Sequence, residues 1–189
     1  LVTDMSELSK MQSGNYMLRY SNFDLAEKIK DIIRLNEVLI KEGDLHVHTD
    51  ASEGAVSSLD ELVRAARRAG LDALVITDRD YCTQVPIEMR GILLIPGCEV
   101  TTQSGLIVAA FLQRPLDLIR LRQNGLPSAD DAVLEIHRCG GLAILAQPYA
   151  SDSVDASQFP LRPDAVETAS ARAAMHYPDA NRQAMQWAI

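Results

Sequence analysis

Short apolar runs alternate with amphipathic segments along the chain from residue 43 onward. Several of these runs have the length of a buried strand, and turn-forming residues bound them. The predicted strands cover residues 71–77, 91–96, 106–112 and 142–146, with a shorter candidate at 165–167.

Two segments between these runs have helical periodicity and capping signals. Ser58 begins the first, with Glu61 three residues later as in a capping box, and Gly70 ends it. Ser128 begins the second helix, and Gly140 ends it. The apolar face predicted for this second helix consists of Ala129, Ala132, Val133 and Ile136.

The two ends of the chain add a further helix each. We predict an N-terminal extension over residues 1–42 that contains one helix beginning near Asn22, followed by one main domain over residues 43–189. The tail over residues 179–189 is predicted to be an amphipathic helix. One face of this helix would carry Ala184, Met185 and Ala188.

Strands that alternate with helices predict an α/β domain with a mostly parallel sheet. In such domains active sites lie at the carboxyl ends of the strands. Polar residues follow five of the apolar runs at this point of the pattern, which indicates a functional site there. They are His48, Asp78, Glu99, Gln147 and Glu167.

The segment over residues 43–49, Gly-Asp-Leu-His-Val-His-Thr, contains two histidines two positions apart. Side chains alternate between the faces of a strand, so His46 and His48 would share one face while Leu45 and Val47 share the other. Two neutral imidazoles side by side suit a divalent metal ion. The alternative is an edge strand with two solvated histidines.

Composition and charge narrow the classes of function. The 189-residue chain carries a formal net charge of −8, which argues against extended nucleic-acid binding and against binding to an anionic membrane surface. An anionic substrate remains compatible, because a bound metal ion reverses the local field.

The three cysteines form no CxxC pair, so we expect neither a disulfide scaffold nor a cysteine zinc site, and we expect a cytoplasmic location. No apolar run reaches the ~18 residues of a membrane span.

Five motifs, taken in order, resemble those of the PHP (polymerase and histidinol phosphatase) domain family. The resemblance implies a distorted TIM-like barrel of (β/α)7 type, with divalent ions such as zinc, manganese or iron at the strand ends. It also implies hydrolysis of a phosphate ester, which would be a small phosphomonoester, a nucleotide or an oligonucleotide end. The motifs cover residues 44–49, 51–54, 76–78, 97–100 and 140–148.

The resemblance assigns roles to individual residues. His46 and His48 match the first two metal ligands of the family, and Glu99 matches a glutamate that often bridges ions. Glu53 stands where the family usually has aspartate and is the fourth candidate ligand. Asp78 matches a motif aspartate that supports the site from behind the ligands. Its alternative role is to cap a turn.

Several departures from the family pattern reduce this ligand set. Arg79 and Gln147 stand where the family has histidines, a histidine expected near residues 105–107 is absent, and the final Asp-x-His motif is not reached before Ile189. The resemblance therefore implies one to two ions and a barrel that is incomplete at its C-terminus. Arginine cannot ligate a cation, but Arg79 could bind a phosphate through two parallel hydrogen bonds. The alternative for Arg79 is an ordinary arginine on the surface. A glutamine amide is a poor zinc ligand, although its oxygen suits harder cations.

The sequence favours a metal-dependent phosphoesterase that acts on a small phosphorylated substrate or nucleotide. Asp78 and Arg79 are its catalytic candidates, and Arg79 and Gln147 are its candidate substrate contacts. The alternative is a degenerate PHP domain with a reduced metal site that acts as a non-catalytic binding or scaffold module. A third hypothesis is a fragment that is completed by sequence beyond Ile189. Because an unclosed barrel exposes sheet edges, a homo-oligomer is also an expectation.

Overall fold

The computed structural model describes residues 43–149, 163–170, 175–177 and 179–187. Within these ranges, eight strands form two four-stranded sheets, and four helices accompany them. The predicted extension over residues 1–42, including its helix near Asn22, lies outside the described residues. No helix within the described ranges is long and apolar enough to cross a membrane.

The first sheet has the strand order β1-β2-β4-β3 and is parallel except where β3 pairs with β4. Helix α1, Leu59–Ala69, packs on this sheet through Val63 and Ala66, which join the buried side chains of β1, β2 and β4. The strands are β1 Gly43–Val47, β2 Ala73–Ile76, β3 Glu88–Met89 and β4 Ile92–Pro96.

The ends of α1 confirm the predicted capping signals. The Ser58 hydroxyl accepts the backbone N–H of Glu61, and the Glu61 carboxylate accepts the backbone N–H of Ser58 at 2.8 Å. Gly70 ends the helix with a φ of 77°, a left-handed conformation that glycine adopts without steric cost. The chain then enters β2 after a short turn.

The second sheet has the strand order β5-β6-β7-β8. Pairs β5–β6 and β6–β7 are antiparallel, and β7–β8 is parallel. Helices α2, Leu118–Leu121, and α3, Ala129–Arg138, lie between β6 and β7 in the chain. The strands are β5 Cys98–Thr102, β6 Gly105–Ala110, β7 Leu142–Ala146 and β8 Ala165–Val166.

Helix α3 packs against the second sheet with the face that the sequence predicts. Its four predicted apolar positions are all buried, together with side chains of β5, β6 and β7. Helix α4, Ala180–Trp187, confirms a helix in the predicted tail, but its apolar face differs from the prediction, and Ala188 lies outside the described residues. Ala184 is buried, but Met185 is 57% exposed, so the two residues do not share a buried face.

The sheets are less parallel than the sequence predicts, because residues 98–102 form a strand of their own. The sequence predicts a strand over residues 91–96, with this segment following its end. Instead it continues from β4 and pairs antiparallel with β6. Gly97 allows this passage, since a Cβ atom there would lie 2.6 Å from the Ala109 carbonyl oxygen and 3.0 Å from that of Ile76.

The two sheets join at the carboxyl end of β2. Glu99 donates its backbone N–H to the Asp78 carbonyl oxygen at 3.1 Å, and Asp80 donates its N–H to the Glu99 carbonyl oxygen at 2.7 Å. Arg79 and Glu99 thereby form an isolated parallel bridge. We call this connection the 79–99 junction. The described strands do not form one closed sheet, so the predicted (β/α)7-type barrel stays a prediction.

Candidate metal centre

His46, His48 and Glu99 each place one ligand atom within 4.8 Å of the other two. His46 Nε2 lies 3.1 Å from His48 Nε2 and 3.0 Å from Glu99 Oε1, and His48 Nε2 lies 3.7 Å from Glu99 Oε2. Ligand atoms around a tetrahedral ion at 2.0–2.2 Å are themselves about 3.3–3.6 Å apart. Within the described ranges, these three residues are the group whose geometry suits a metal ion.

The two histidines lie together, as predicted, but only His46 belongs to β1, His48 follows the end of that strand, and the alternation along β1 is not regular. The register between β1 and β2 shifts between Asp44 and Val47, so two β1 residues oppose one β2 residue. Such a bulge re-aims side chains near functional sites. Val47 is buried in the core, but Leu45 is 41% exposed instead of sharing its face. Glu99 comes from β5, and the 79–99 junction brings it beside the histidines.

Ser52 fixes the ring of His48. The Ser52 hydroxyl donates to Asp78 Oδ1 at 2.7 Å and accepts the backbone N–H of Arg79 at 2.9 Å. Because its only proton is thus committed, the 3.0 Å contact with His48 Nδ1 is an Nδ1–H that donates to Ser52. A neutral His48 ring then carries its lone pair on Nε2, the nitrogen that faces the other two ligands.

The electrostatic surroundings keep His48 neutral. Burial lowers the pKa of His48, and the positive charges of His46 and Arg79 lower it further, against the attraction of Glu99. A neutral imidazole is the form that binds a metal ion. His48 is therefore ready to act as a ligand without losing a proton.

His46 is held by carboxylates on both ring nitrogens. Its Nδ1 lies 3.3 Å from Glu167 Oε2, and its Nε2 faces Glu99. Burial alone would lower the pKa of His46, but the hydrogen bonds to Glu167 and Glu99 outweigh it and raise the pKa to about 9 with no ion bound. An ion that binds here must displace the proton from Nε2, while Glu167 keeps Nδ1 protonated and oriented.

Arg79 lies against the second oxygen of Glu99. Its Nε donates to Glu99 Oε2 at 2.6 Å, and 34% of the arginine side chain remains exposed. Burial would raise the pKa of the Glu99 carboxyl, but hydrogen bonds from His46 and Arg79 hold that pKa below its usual range. Glu99 is therefore an ionised and fully buried carboxylate.

Asp78 lies behind Ser52, away from the ligand atoms. Its Oδ1 accepts the Thr49 N–H and the Ser52 hydroxyl, each at 2.7 Å, and its Oδ2 accepts the hydroxyls of Thr49 and Thr83. Burial would raise the pKa of Asp78, but the hydrogen bonds from Thr83, Ser52 and Thr49 together hold it below its usual range. This geometry gives Asp78 a positioning role, while its catalytic role stays a prediction.

The other candidate residues take different places. Gln147 follows β7 with a φ of 43° and donates its backbone N–H to Glu167 Oε2 at 2.9 Å, which puts it next to the His46 side of the site. Glu53 is exposed in the loop after β1 and is not part of the three-residue ligand group. The ligand role of Glu53 and the substrate contact of Gln147 stay predictions.

The sequence interpretation did not assign a role to Ser52 or Glu167. Ser52 is a short polar residue in a turn-rich loop, where a serine has many ordinary roles. Glu167 is a polar residue directly after a predicted strand, and that position is the signal that the sequence offers. Its contact with His46 spans 121 positions of sequence, which no local pattern reveals.

The family comparison agrees with this geometry. The sequence profile of the PHP domain family matches residues 44–157, which include all three members of the ligand group. The chain belongs to the PHP domain family. No curated protein sequence matches the chain significantly.

Two solved structures share the fold. One is a candidate metal-dependent phosphoesterase from Bifidobacterium adolescentis, with a TM-score of 0.57 and 14% identity over 77% of this chain and 82% of that one. The other is an amidohydrolase from Chromobacterium violaceum with bound sulfate and no metal. Its TM-score is 0.55 and its identity 17%, over 75% of this chain and 81% of the other. At these identities the likeness shows the fold, a mixed α/β architecture.

Proposed function

We propose that the chain is a metal-dependent phosphoesterase that hydrolyses a phosphate ester at the centre formed by His46, His48 and Glu99. The observation that carries this proposal is the convergence of their three ligand atoms at the junction of the two sheets. Membership of the PHP domain family supports it. A structural neighbour described as a candidate metal-dependent phosphoesterase adds support.

The donor set fits a divalent ion of intermediate hardness. Two imidazole nitrogens and one carboxylate oxygen suit zinc, manganese or ferrous iron, and three protein ligands leave a position open as in catalytic zinc sites. When bound, the ion would polarise a phosphoryl oxygen and activate water for hydrolysis.

The protein's own groups would prepare the site for this chemistry. Ser52 and Glu167 orient the two imidazoles through their Nδ1 atoms. Arg79 places a permanent positive charge beside Glu99, where it would offset charge that develops on the phosphoryl group. These contacts exist before a substrate arrives, so little reorganisation would be needed.

A small phosphorylated molecule or nucleotide is the substrate class that we propose. The net charge of −8 disfavours binding along a long polyanion such as a nucleic acid. A small phosphorylated substrate needs positive charge only around its phosphate, where Arg79 and the ion would supply it. Gln147 would contact the substrate from the end of β7. Its left-handed backbone is a conformation that costs energy in a non-glycine residue and is frequent at functional sites.

Hydrolysis by metal-depleted and metal-reloaded protein tests the proposal. We expect Mn²⁺ or Zn²⁺ to restore hydrolysis of p-nitrophenyl phosphate or bis-p-nitrophenyl phosphate. The double substitution His46→Ala with His48→Ala is expected to lower the metal-dependent rate by about a thousandfold, because the ion supplies several kcal/mol of transition-state stabilisation. His176→Ala is the matched control, since His176 is exposed and lies outside the ligand group. An unchanged rate in the double variant would contradict the proposal.

A non-catalytic binding module is the second candidate function. The observation in its favour is that the described ligand group contains three residues, with an arginine on the second oxygen of Glu99. Under this alternative, elemental analysis of purified protein should find well under one equivalent of metal, and no added metal should promote hydrolysis. One equivalent of metal together with metal-dependent turnover would exclude this alternative.

A further inference from the structure

Glu99 divides its two carboxylate oxygens between different neighbours. Oε1 faces His46 Nε2 at 3.0 Å, whereas Oε2 receives Arg79 Nε at 2.6 Å and lies 3.7 Å from His48 Nε2. In two-metal sites the ions lie about 3.5–4 Å apart, and a carboxylate that bridges them through both oxygens gives one oxygen to each ion. Here the oxygen that would serve a second ion is already in contact with a cation.

We propose that the Arg79 guanidinium takes the place of a second metal ion, so that the centre consists of one divalent ion and one arginine. This inference rests on the proposed function, because it concerns the same metal centre. Arginine stays protonated in proteins, so its charge is as permanent as that of an ion. The backbone of Arg79 is fixed by its bridge to Glu99 and by its N–H bond to Ser52.

The neighbouring carboxylates do not offer a second ion a comparable site. In the described part of the chain, Asp78 accepts hydrogen bonds on both of its oxygens. Glu167 Oε2 already contacts His46 Nδ1 and the backbone N–H of Gln147. Glu53 is exposed and does not belong to the ligand group. The ligands that converge here, His46, His48 and Glu99, therefore serve one ion.

The guanidinium also has a part that can serve the substrate. Its Nε donates to Glu99, whereas its two terminal nitrogens belong to the same planar group. About one-third of the side chain is exposed, so a substrate can reach this group. Planar guanidinium groups bind phosphoryl oxygens through paired N–H donors. Arg79 would thus carry out two tasks of a second ion, since it neutralises Glu99 and binds a phosphoryl oxygen.

The number of bound ions tests the inference directly. Equilibrium dialysis of the full chain against Mn²⁺, read by electron paramagnetic resonance of the free ion, should saturate at one equivalent per chain. Two equivalents would overturn the inference while the proposed metal centre stands. No bound Mn²⁺ would contradict the proposed function itself, and the inference with it.

The substitution Arg79→Gln separates a charge role from a purely positioning role. Removing a cation beside the ion should tighten Mn²⁺ binding about tenfold. It should also weaken binding of inorganic phosphate to the Mn²⁺-loaded protein about tenfold, measured by isothermal titration calorimetry. If Arg79 only positioned Glu99, the substitution would weaken the binding of both Mn²⁺ and inorganic phosphate, and that result would overturn the inference.

Two further variants complete the experiment. Arg79→Lys keeps the charge but loses the planar fork, so Mn²⁺ affinity should stay near the wild-type value while phosphate binding weakens. This variant decides the question if the glutamine variant does not fold, and equal loss of both affinities would again overturn the inference. Arg90→Gln is the matched control, because it removes an exposed arginine paired with Asp60 and should leave both affinities unchanged.

Discussion

At the scale of single residues, Asp78 is the carboxylate that connects the loop after β1 to the end of β2. It is fully buried, and it accepts hydrogen bonds from Thr49, Ser52 and Thr83. A carboxyl whose pKa is lower in the folded chain than in the unfolded one stabilises the fold above its unfolded pKa. That contribution is lost as the pH falls through the folded pKa.

We therefore expect Asp78→Asn to lower the free energy of unfolding by about 3 kcal/mol at pH 7, because the charge is lost and one buried acceptor oxygen is replaced by an NH₂ group that faces other donors. The difference from wild type should begin to shrink as the pH falls below about 4, because the carboxyl of the unfolded chain then takes up a proton while the folded one, with its lower pKa, stays ionised. Urea unfolding at pH 7, 5 and 3.5 measures this. Asp60→Asn, which removes exposed ion pairs, should cost under about 1 kcal/mol. A difference that stays constant with pH would contradict the interpretation.

Ser52 and Ser58 allow a matched comparison of a site serine with a structural serine. Ser52→Ala removes the acceptor that holds His48 Nδ1–H, and loss of such an orienting partner lowers metal affinity about 10–100-fold. Ser58→Ala removes the cap of α1 and should cost about 1 kcal/mol of stability without changing Mn²⁺ affinity. Titration with Mn²⁺ gives the metal affinity of each variant, and urea unfolding gives its stability. Equal Mn²⁺ affinities in the two variants would refute the orienting role of Ser52.

At the scale of elements, Gly97 controls the passage from the first sheet to the second. An alanine Cβ there would overlap the Ala109 carbonyl oxygen, so we expect Gly97→Ala to cost about 3 kcal/mol and to displace Glu99. Gly91→Ala is the control. Its Cβ meets open space, although the φ of 81° costs about 1 kcal/mol. Thermal unfolding and Mn²⁺ titration compare them, and retained Mn²⁺ affinity in Gly97→Ala would show that Glu99 does not depend on this turn.

Elements with local signals could be predicted from the sequence, and those that depend on distant pairing could not. Helix α1 has a capping box and an ending glycine within its own segment, and β7 is a continuous apolar run between turn residues. Strand β5 has no comparable local signal, because Glu99 and two threonines interrupt its apolar residues. Its strand character comes from pairing with β6, a tertiary interaction that overrides local composition.

The same distinction applies to the metal centre. His46 and His48 could be predicted because they lie two positions apart in one short segment, and Glu99 because its motif resembles a family pattern. The contacts of Arg79 with Glu99 and of Glu167 with His46 could not be predicted, because each joins residues that only the fold brings together. The sequence indicates which residue types are present, whereas the junction of the sheets decides which of them meet.

At the scale of the whole molecule, the ligand group draws on both sheets. His46 and His48 belong to the first sheet and its following loop, and Glu99 belongs to the second. The connection of these sheets near the centre is the short 79–99 junction. A ligand that binds the folded form alone stabilises it by about 2.7 kcal/mol at a free concentration of 100 times its Kd.

An ion bound here would therefore link the two sheets and stabilise the folded chain, in addition to its part in the proposed hydrolysis. Amide protons of residues 78–80 and 99 should exchange with deuterium more slowly once Mn²⁺ is added, while those of helix α3, which carries no ligand, change less. Mass spectrometry of peptides from exchanged protein would measure this contrast. A shortage of the metal in the cell would therefore lower the amount of this protein as well as its activity, because the chain without the ion opens more often at the 79–99 junction and is exposed to proteases there.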